Sequence, residues 1–208
     1  MLSIGVTGGI ASGKSALGEL WSRKGEPVCE ADALAHEIVQ IGQPAYKRIV
    51  AHFGMAVLKS DATLDRAWLA RRVFAEPAEL RFLEKLIHPE VRRHWQRWLT
   101  GQPQGTFAAV VVAPLIFETD TAAEWDVVVC VAAPEARRRR WLQARGLSDQ
   151  EIRQRLAAQM PQKFKMEGAD YVVYNSGDRS VLRRQAMRVW QHIERKHSVE
   201  AGKYEQKN

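Results

Sequence analysis

The sequence predicts an α/β protein in which one parallel five-stranded sheet carries helices on both faces, and three observations lead there. Residues 107–112 (FAAVVV) and 127–131 (VVVCV) are unbroken apolar runs rich in valine, as expected of strands covered on both sides. Short runs of this kind alternate along the chain with helical stretches, the pattern of parallel strands joined by crossover helices. Directly after the first apolar run comes a glycine-rich loop, GGIASGKS at residues 8–15, placed to turn a buried strand into a helix.

Taken in order, residues 2–7 (LSIGVT) read as the first strand, followed by the loop and a helix over residues 14–23. Gly25-Glu26-Pro27 makes a turn, and Val28-Cys29-Glu30 a short second strand. Residues 33–99 are helical in pattern, with no strand of comparable quality. Within them Leu80, Leu83, Ile87, Val91, Trp95 and Trp98 recur in steps of three and four, one helical stripe. Pro89 interrupts that stripe; lacking an N–H, it predicts a boundary near His88 with the proline in the first turn of the next helix. The loop GQPQG at residues 101–105 leads into the two valine-rich strands. Residues 134–145 and 149–159 then read as two helices around Gly146-Leu147-Ser148, with Ser148 as helix cap. The last strand is residues 171–174 (YVVY), before Asn175-Ser176-Gly177 and a C-terminal helix. The polar ending, residues 198–208, is expected to fray.

These elements divide into a core (residues 1–32, 104–133 and 168–200), a helical insertion (residues 33–103), an arginine-rich segment (residues 134–167) and a polar tail (residues 201–208). The segments outside the core are where an α/β enzyme carries substrate specificity. At 208 residues, with 46% hydrophobic and 26% charged, the chain has enough apolar material for one good core and is not a disordered polymer. The start, MLSIGVT, lacks the basic, long apolar pattern of a secretory leader. No apolar run approaches the roughly 20 residues of a membrane helix. Cys29 and Cys130 stand in separate apolar segments without metal-like spacing, which suits buried thiols in a reducing cytoplasm. The net charge of +7 favours acidic partners, whether nucleic acid, a membrane surface or phosphorylated small molecules, and does not choose among them.

The loop chooses more sharply. GGIASGKS matches G-x-x-x-x-G-K-[ST], and an accidental match in a chain of this length arises on the order of 1% of the time from average composition. Its backbone N–H groups form an anion cradle, strengthened by the positive end of the following helix. The expected ATP cradle comprises Gly8, Gly9, Ala11, Ser12, Gly13, Lys14, Ser15 and Ala16. Lys14 bridges the β- and γ-phosphates, and the Ser15 hydroxyl is the expected Mg²⁺ ligand. The fold class is therefore that of the P-loop NTPases. An NTPase switch, a motor fragment and a small-molecule kinase all share this loop.

A kinase also needs a group to orient the acceptor hydroxyl. The second strand ends in Glu30-Ala31-Asp32, at the carboxyl edge where ligands of open α/β sheets bind. Asp32 is the candidate base, with capping of the helix beginning near Ala33 as the plain structural alternative. Arginines 137–140, Arg145, Arg153 and Arg155 fall on the predicted helix pair; they read either as a solvated surface or as a mobile lid bringing guanidinium groups onto phosphates. The basic helix at residues 183–196 reads as a solvated face, and Trp95, Trp98 and Trp190 as packing residues.

Beyond these readings, the chain resembles the dephospho-coenzyme A kinases over residues 4–182. The resemblance rests on Thr7-Gly8-Gly9-Ile10, residues 30–39 (EADALAHEIV), residues 64–71 (LDRAWLAR) with Val73-Phe74, and His88-Pro89. Residues 114–118 (PLIFE), the Gln159 region, and residues 169–175 (ADYVVYN) with Gly177 complete it in order. It implies a P-loop core with a helical acceptor domain and a lid. It also implies transfer of the γ-phosphate of ATP to the 3′-hydroxyl of dephospho-coenzyme A, with Mg²⁺. By the same resemblance Asp32 is the base, Lys14 and Arg140 act on the phosphates, Thr7, Arg66, His88 and Pro89 lie on the acceptor side, and Asn175 neighbours the ATP base. Three departures stand out. Glu30 replaces an aspartate, which leaves Asp32 for catalysis. Ala113 replaces an aspartate before Pro-Leu, so no metal ligand is assigned on that strand. The turn Arg145-Gly146-Leu147-Ser148 is one residue short, with Ala144 in an arginine's place.

The expected partners are ATP and dephospho-coenzyme A, with no nucleic acid and no membrane, and the expected form is a cytoplasmic monomer. One alternative is another P-loop small-molecule kinase of the nucleoside monophosphate or shikimate type, which lacks the Leu-Asp-Arg and His-Pro pair. A nucleic-acid-binding NTPase is the alternative of a different class; it predicts strongly salt-dependent binding, and the chain lacks the aromatic-basic interleaving of single-strand binders.

Overall fold

Five mostly apolar segments pair as one all-parallel sheet in the computed structural model, which describes residues 1–205, with side chains through His197. The strands are β1 (Leu2–Thr7), β2 (Val28–Glu30), β3 (Ala108–Val112), β4 (Val127–Ala132) and β5 (Tyr171–Tyr174), in the order β2-β3-β1-β4-β5. β3 and β4 are buried at every position, which explains why their sequences show no polar alternation. Gly5 of β1 aligns with Val111 on one side and Val128 on the other, fixing the register at the centre of the sheet.

One face of the sheet packs against α1 (Lys14–Ser22) and the long C-terminal α9 (Arg179–Glu205). There Leu17, Trp21, Leu182, Ala186, Trp190 and Ile193 meet Ile4, Val6, Val110 and Val129. The Trp21 and Trp190 rings meet at a tilt with centroids 5.2 Å apart, and the Trp21 indole N–H donates to the Ala186 carbonyl at 3.2 Å, so a fully buried polar atom is satisfied. The exposed side of α9 carries Arg183, Arg184, Arg188, Arg195 and Lys196, the solvated basic face expected. The opposite face of the sheet holds Cys29, Val111, Ile116 and Val128 against Trp95 and Trp125, whose rings lie 4.5 Å apart. Both cysteines are free and buried.

The insertion supplies α2 (Ala31–Glu37), α3 (Pro44–Phe53), α4 (Arg66–Ala75) and α5 (Pro77–Thr100), with a 3-10 turn at Met55–Val57. Ala45, Ile49, Val57, Leu64, Leu69, Val73 and Leu86 form a separate cluster among these helices. Two expectations are corrected here. Pro89 does not end a helix, because α5 runs through it. The ring removes one backbone hydrogen bond, to the Lys85 carbonyl, but the helix is anchored on both sides of it. Leu86 is locked into the insertion cluster and Trp95 into the sheet cluster. Asp32 is not a cap either: α2 starts at Ala31, Glu30 holds the cap position without a side-chain bond, and Asp32 sits in the first turn.

After β4 come α6 (Glu135–Ala144), α7 (Asp149–Ala157) and a short α8 (Gln162–Glu167). Ser148 caps α7 as expected, in a reciprocal box with Glu151. α8 has no counterpart in the sequence reading, its six residues (QKFKME) being too few to show a period. α9 continues to Glu205, past the start of the polar ending, and the expectation for residues 206–208 lies outside the described residues.

Candidate active site

The glycine loop leaves β1 at the buried Thr7 and enters α1 through Gly13, whose φ of 101° lies in the left-handed region that side-chain-bearing residues avoid. Space gives a second reason for glycine there, since a Cβ at Gly13 would stand 2.3 Å from Asn175 Nδ2. Asn175, at the end of β5, is 7% exposed; its Nδ2 donates to the Ser12 carbonyl at 2.9 Å and its N–H to the Ala132 carbonyl at 2.7 Å. Asn175, expected beside the ATP base, holds the loop through its side-chain amide. The Ile10 N–H donates to Gln159 Oε1 at 2.7 Å, tying the end of the α7 region to the opposite rim.

Lys14 Nζ donates to the Gly8 and Gly9 carbonyls at 3.1 and 3.0 Å. Burial pushes its ammonium down from the ordinary 10.5 to about 8; the nearby Asp32 carboxylate opposes the shift, and Lys165 adds to it. A polyphosphate bound here restores the favourable charge, so above pH 8 nucleotide binding must take up a proton. ATP affinity is therefore expected to fall by up to about tenfold per pH unit between pH 8 and 10.5, as calorimetry in buffers of different ionisation heat would show. For the free protein the sign reverses. The Lys14 charge destabilises the fold fully below pH 8, and this burden is relieved as pH rises toward 10.5.

Ser15 Oγ, at the start of α1, donates to Glu30 Oε2 at 3.2 Å. Glu30 is thus the carboxylate on the loop hydroxyl, and burial raises its pKa against the Ser15 hydrogen bond. The sequence reading left Glu30 without a function; strand position alone did not reveal that it points to α1. Serine hydroxyl and carboxylate are hard oxygen donors, and Mg²⁺ is commonly held by one or two such groups plus substrate phosphates, so the pair fits that ion. Among the described residues no cluster of three or more His, Cys, Asp or Glu forms a metal site by itself.

Asp32 is exposed and faces a cleft of about 820 Å³ that it shares with His88, Pro89, Trp95, Ala113 and Glu118. Close to Lys14 in charge and open to the cleft, it stands between the phosphate loop and an acceptor-sized space. A second cleft of about 330 Å³ joins Ile10 of the loop to Arg66, Phe74, His88, Arg155 and Gln159. His88 lines both clefts; Asp32 and Pro89 line the larger one and Arg66 the smaller. Arg66 is placed by the first turn of α4, where the Asp65 carboxylate accepts from the Trp68 N–H at 2.9 Å. Burial lowers the pKa of His88, opposed by Glu84 and Glu118, which favours the neutral imidazole.

The hydroxyl of Thr7, expected on the acceptor side, donates to the Pro114 carbonyl at 3.1 Å. The same carbonyl accepts from Lys165 Nζ at 2.8 Å. Lys165 is completely buried and paired with Glu118 at 2.6 Å, and Glu118 Oε1 also accepts from the Met160 N–H at 3.0 Å. Glu118 Oε2 has no partner among the described residues. Sequence reasoning quoted Glu118 only as the end of a motif and missed Lys165, whose partner lies on a different segment. Of the arginines, Arg140 is exposed on α6, and Arg155 lies over the Phe74 ring at 5.3 Å.

Comparison with known proteins bears on this geometry. A family model described as dephospho-CoA kinase matches residues 2–200. A dephospho-CoA kinase of Gloeobacter violaceus is 43% identical over 188 residues, covering 89% of each chain. Among solved structures, a Thermus thermophilus protein superposes with a TM-score of 0.77 at 34% identity, covering 92% of this chain and 96% of that one. The dephospho-CoA kinase from Campylobacter jejuni gives 0.68 at 26% identity, covering 94% and 98%.

Proposed function

The chain belongs to the dephospho-CoA kinase family, and from that premise we propose how its residues divide the work. The protein is an ATP-dependent phosphotransferase that moves the γ-phosphate of ATP to the 3′-hydroxyl of dephospho-coenzyme A, the last step of coenzyme A synthesis. The observation that carries the assignment of roles is the position of Asp32, open to the large cleft and near Lys14.

ATP lies in the cradle formed by residues 8–16, with Lys14 across its β- and γ-phosphates. Ser15 and Glu30 would hold Mg²⁺, which would supply charge neutralisation on the phosphate oxygens. Dephospho-coenzyme A occupies the clefts flanked by Arg66, His88 and Pro89, its 3′-hydroxyl directed at Asp32. Asp32 orients that hydroxyl and accepts its proton as the new O–P bond forms and the bond to ADP breaks. Thr7 acts on the acceptor side by fixing the Pro114 carbonyl at the cleft wall. Asn175 serves the nucleotide through the loop it clamps. Residues 134–167 form a lid that carries Arg140 onto the phosphates when it closes, over a core of residues 1–32, 104–133 and 168–200 and an acceptor domain of residues 33–103.

We place the enzyme in the cytoplasm as a monomer acting on small molecules, without nucleic acid or membrane. No helix among the described residues is long and apolar enough to cross a membrane. Coupled measurement of ADP release with different acceptors tests the substrate assignment. Dephospho-coenzyme A should stimulate ATP turnover strongly, and shikimate and nucleoside monophosphates should not; equal stimulation by either would contradict it.

A further inference from the structure

The run Arg137-Arg138-Arg139-Arg140 carries no period in sequence, yet α6 gives each residue a different environment. Arg137 packs over the Trp141 ring at 5.8 Å, Arg139 pairs with Glu135 at 2.8 Å, and Arg140 is exposed. Arg138 alone turns inward and is 8% exposed. Its Nε has no hydrogen-bond partner among the described residues. Glu135, whose charge it feels most, is engaged by Arg139.

The direction of that side chain is informative. A Cβ at Gly9 would lie 2.6 Å from Arg138 Nη1, so the guanidinium is seated directly against the phosphate loop. The Gly9 carbonyl already accepts from Lys14 Nζ at 3.0 Å. One glycine of the loop therefore stands between two cations, neither of them in an ion pair among the described residues. Burying an unpaired guanidinium is unfavourable unless an anion compensates it, and burial indeed disfavours its charged form here. A guanidinium fork matches the paired oxygens of a phosphate better than it matches any neutral group.

We propose that Arg138 is a catalytic residue that contacts the phosphate chain of the bound nucleotide from the Gly9 side of the loop. This deepens the ATP-site reading above and rests on it. In the free protein the buried charge is a liability, and with polyphosphate bound it becomes a ligand, so the two states respond to its removal with opposite sign.

Arg138→Met, close in shape and uncharged, separates these effects. The free variant should unfold at a higher temperature than the unaltered protein. ATP and ADP affinities should fall about tenfold or more, adenosine binding should be unchanged, and turnover should fall by about 10²–10³ as for loss of one preorganised charge donor. ATP affinity and turnover within about twofold of the unaltered enzyme would overturn the proposal, as would a lower unfolding temperature with unchanged ATP affinity, the mark of a purely structural arginine. Should Arg138→Met not fold, Arg138→Lys decides. A loss of about tenfold in ATP affinity and turnover, the fork being gone, supports the contact, and unchanged values overturn it. Failure of the unaltered enzyme to phosphorylate dephospho-coenzyme A would instead undermine the family-based reading, whatever the variants do.

Discussion

Lys14→Ala is expected to abolish nearly all turnover while leaving the fold intact. On the proposed assignment the ammonium bridges the phosphates whose charge is redistributed as the γ-phosphoryl group departs, so its removal should cost several kcal/mol of transition-state stabilisation. Its hydrogen bonds to the Gly8 and Gly9 carbonyls hold it at the mouth of the cradle, where alanine offers nothing. The free variant should be no less stable at neutral pH, because Lys14 is charged there against the pull of burial. Steady-state kinetics with saturating ATP measures the effect. Retention of more than about a tenth of normal turnover would sink the assignment, since a tenfold loss is only about 1.4 kcal/mol.

Asp32→Asn should be nearly as damaging, for a different reason. The substitution keeps the shape and one acceptor oxygen but removes the charge and the basicity. The ribose hydroxyl then loses both its orientation and the destination of its proton. A fall in turnover of about two to four orders of magnitude follows, with near-normal ATP affinity. Glu30→Gln separates the two carboxylates at the end of β2. Because Glu30 accepts from Ser15 at 3.2 Å, its loss should be much milder at saturating Mg²⁺ and should appear mainly as a raised metal requirement. If the two variants exchanged these behaviours, Glu30 would be the base. If neither mattered, orientation would have to come from Arg66 or His88.

The sheet was legible because β3 and β4 are covered on both faces, and such strands leave continuous apolar runs. The loop was legible because cradling phosphate demands glycine and lysine at fixed spacing. What stayed hidden depends on contacts between distant segments. Pro89 continues α5 because Leu86 and Trp95 anchor it in two different clusters, and tertiary packing overrode a local breaker. The pairing of Glu30 with Ser15 and of Glu118 with Lys165 joins residues whose proximity no local period encodes. The arginine run is the clearest case: sequence resemblance pointed to Arg140, and no local period shows that Arg138 is the one buried, against Gly9.

Phosphorus NMR of the reaction of ATP with dephospho-coenzyme A tests the central claim most directly, that this site joins the γ-phosphate to a ribose hydroxyl rather than to water. The account predicts one new phosphomonoester resonance, coupled to the 3′ proton of the ribose and growing in step with ADP. ADP accompanied only by free phosphate, or an ester at any other position of the acceptor, would contradict it.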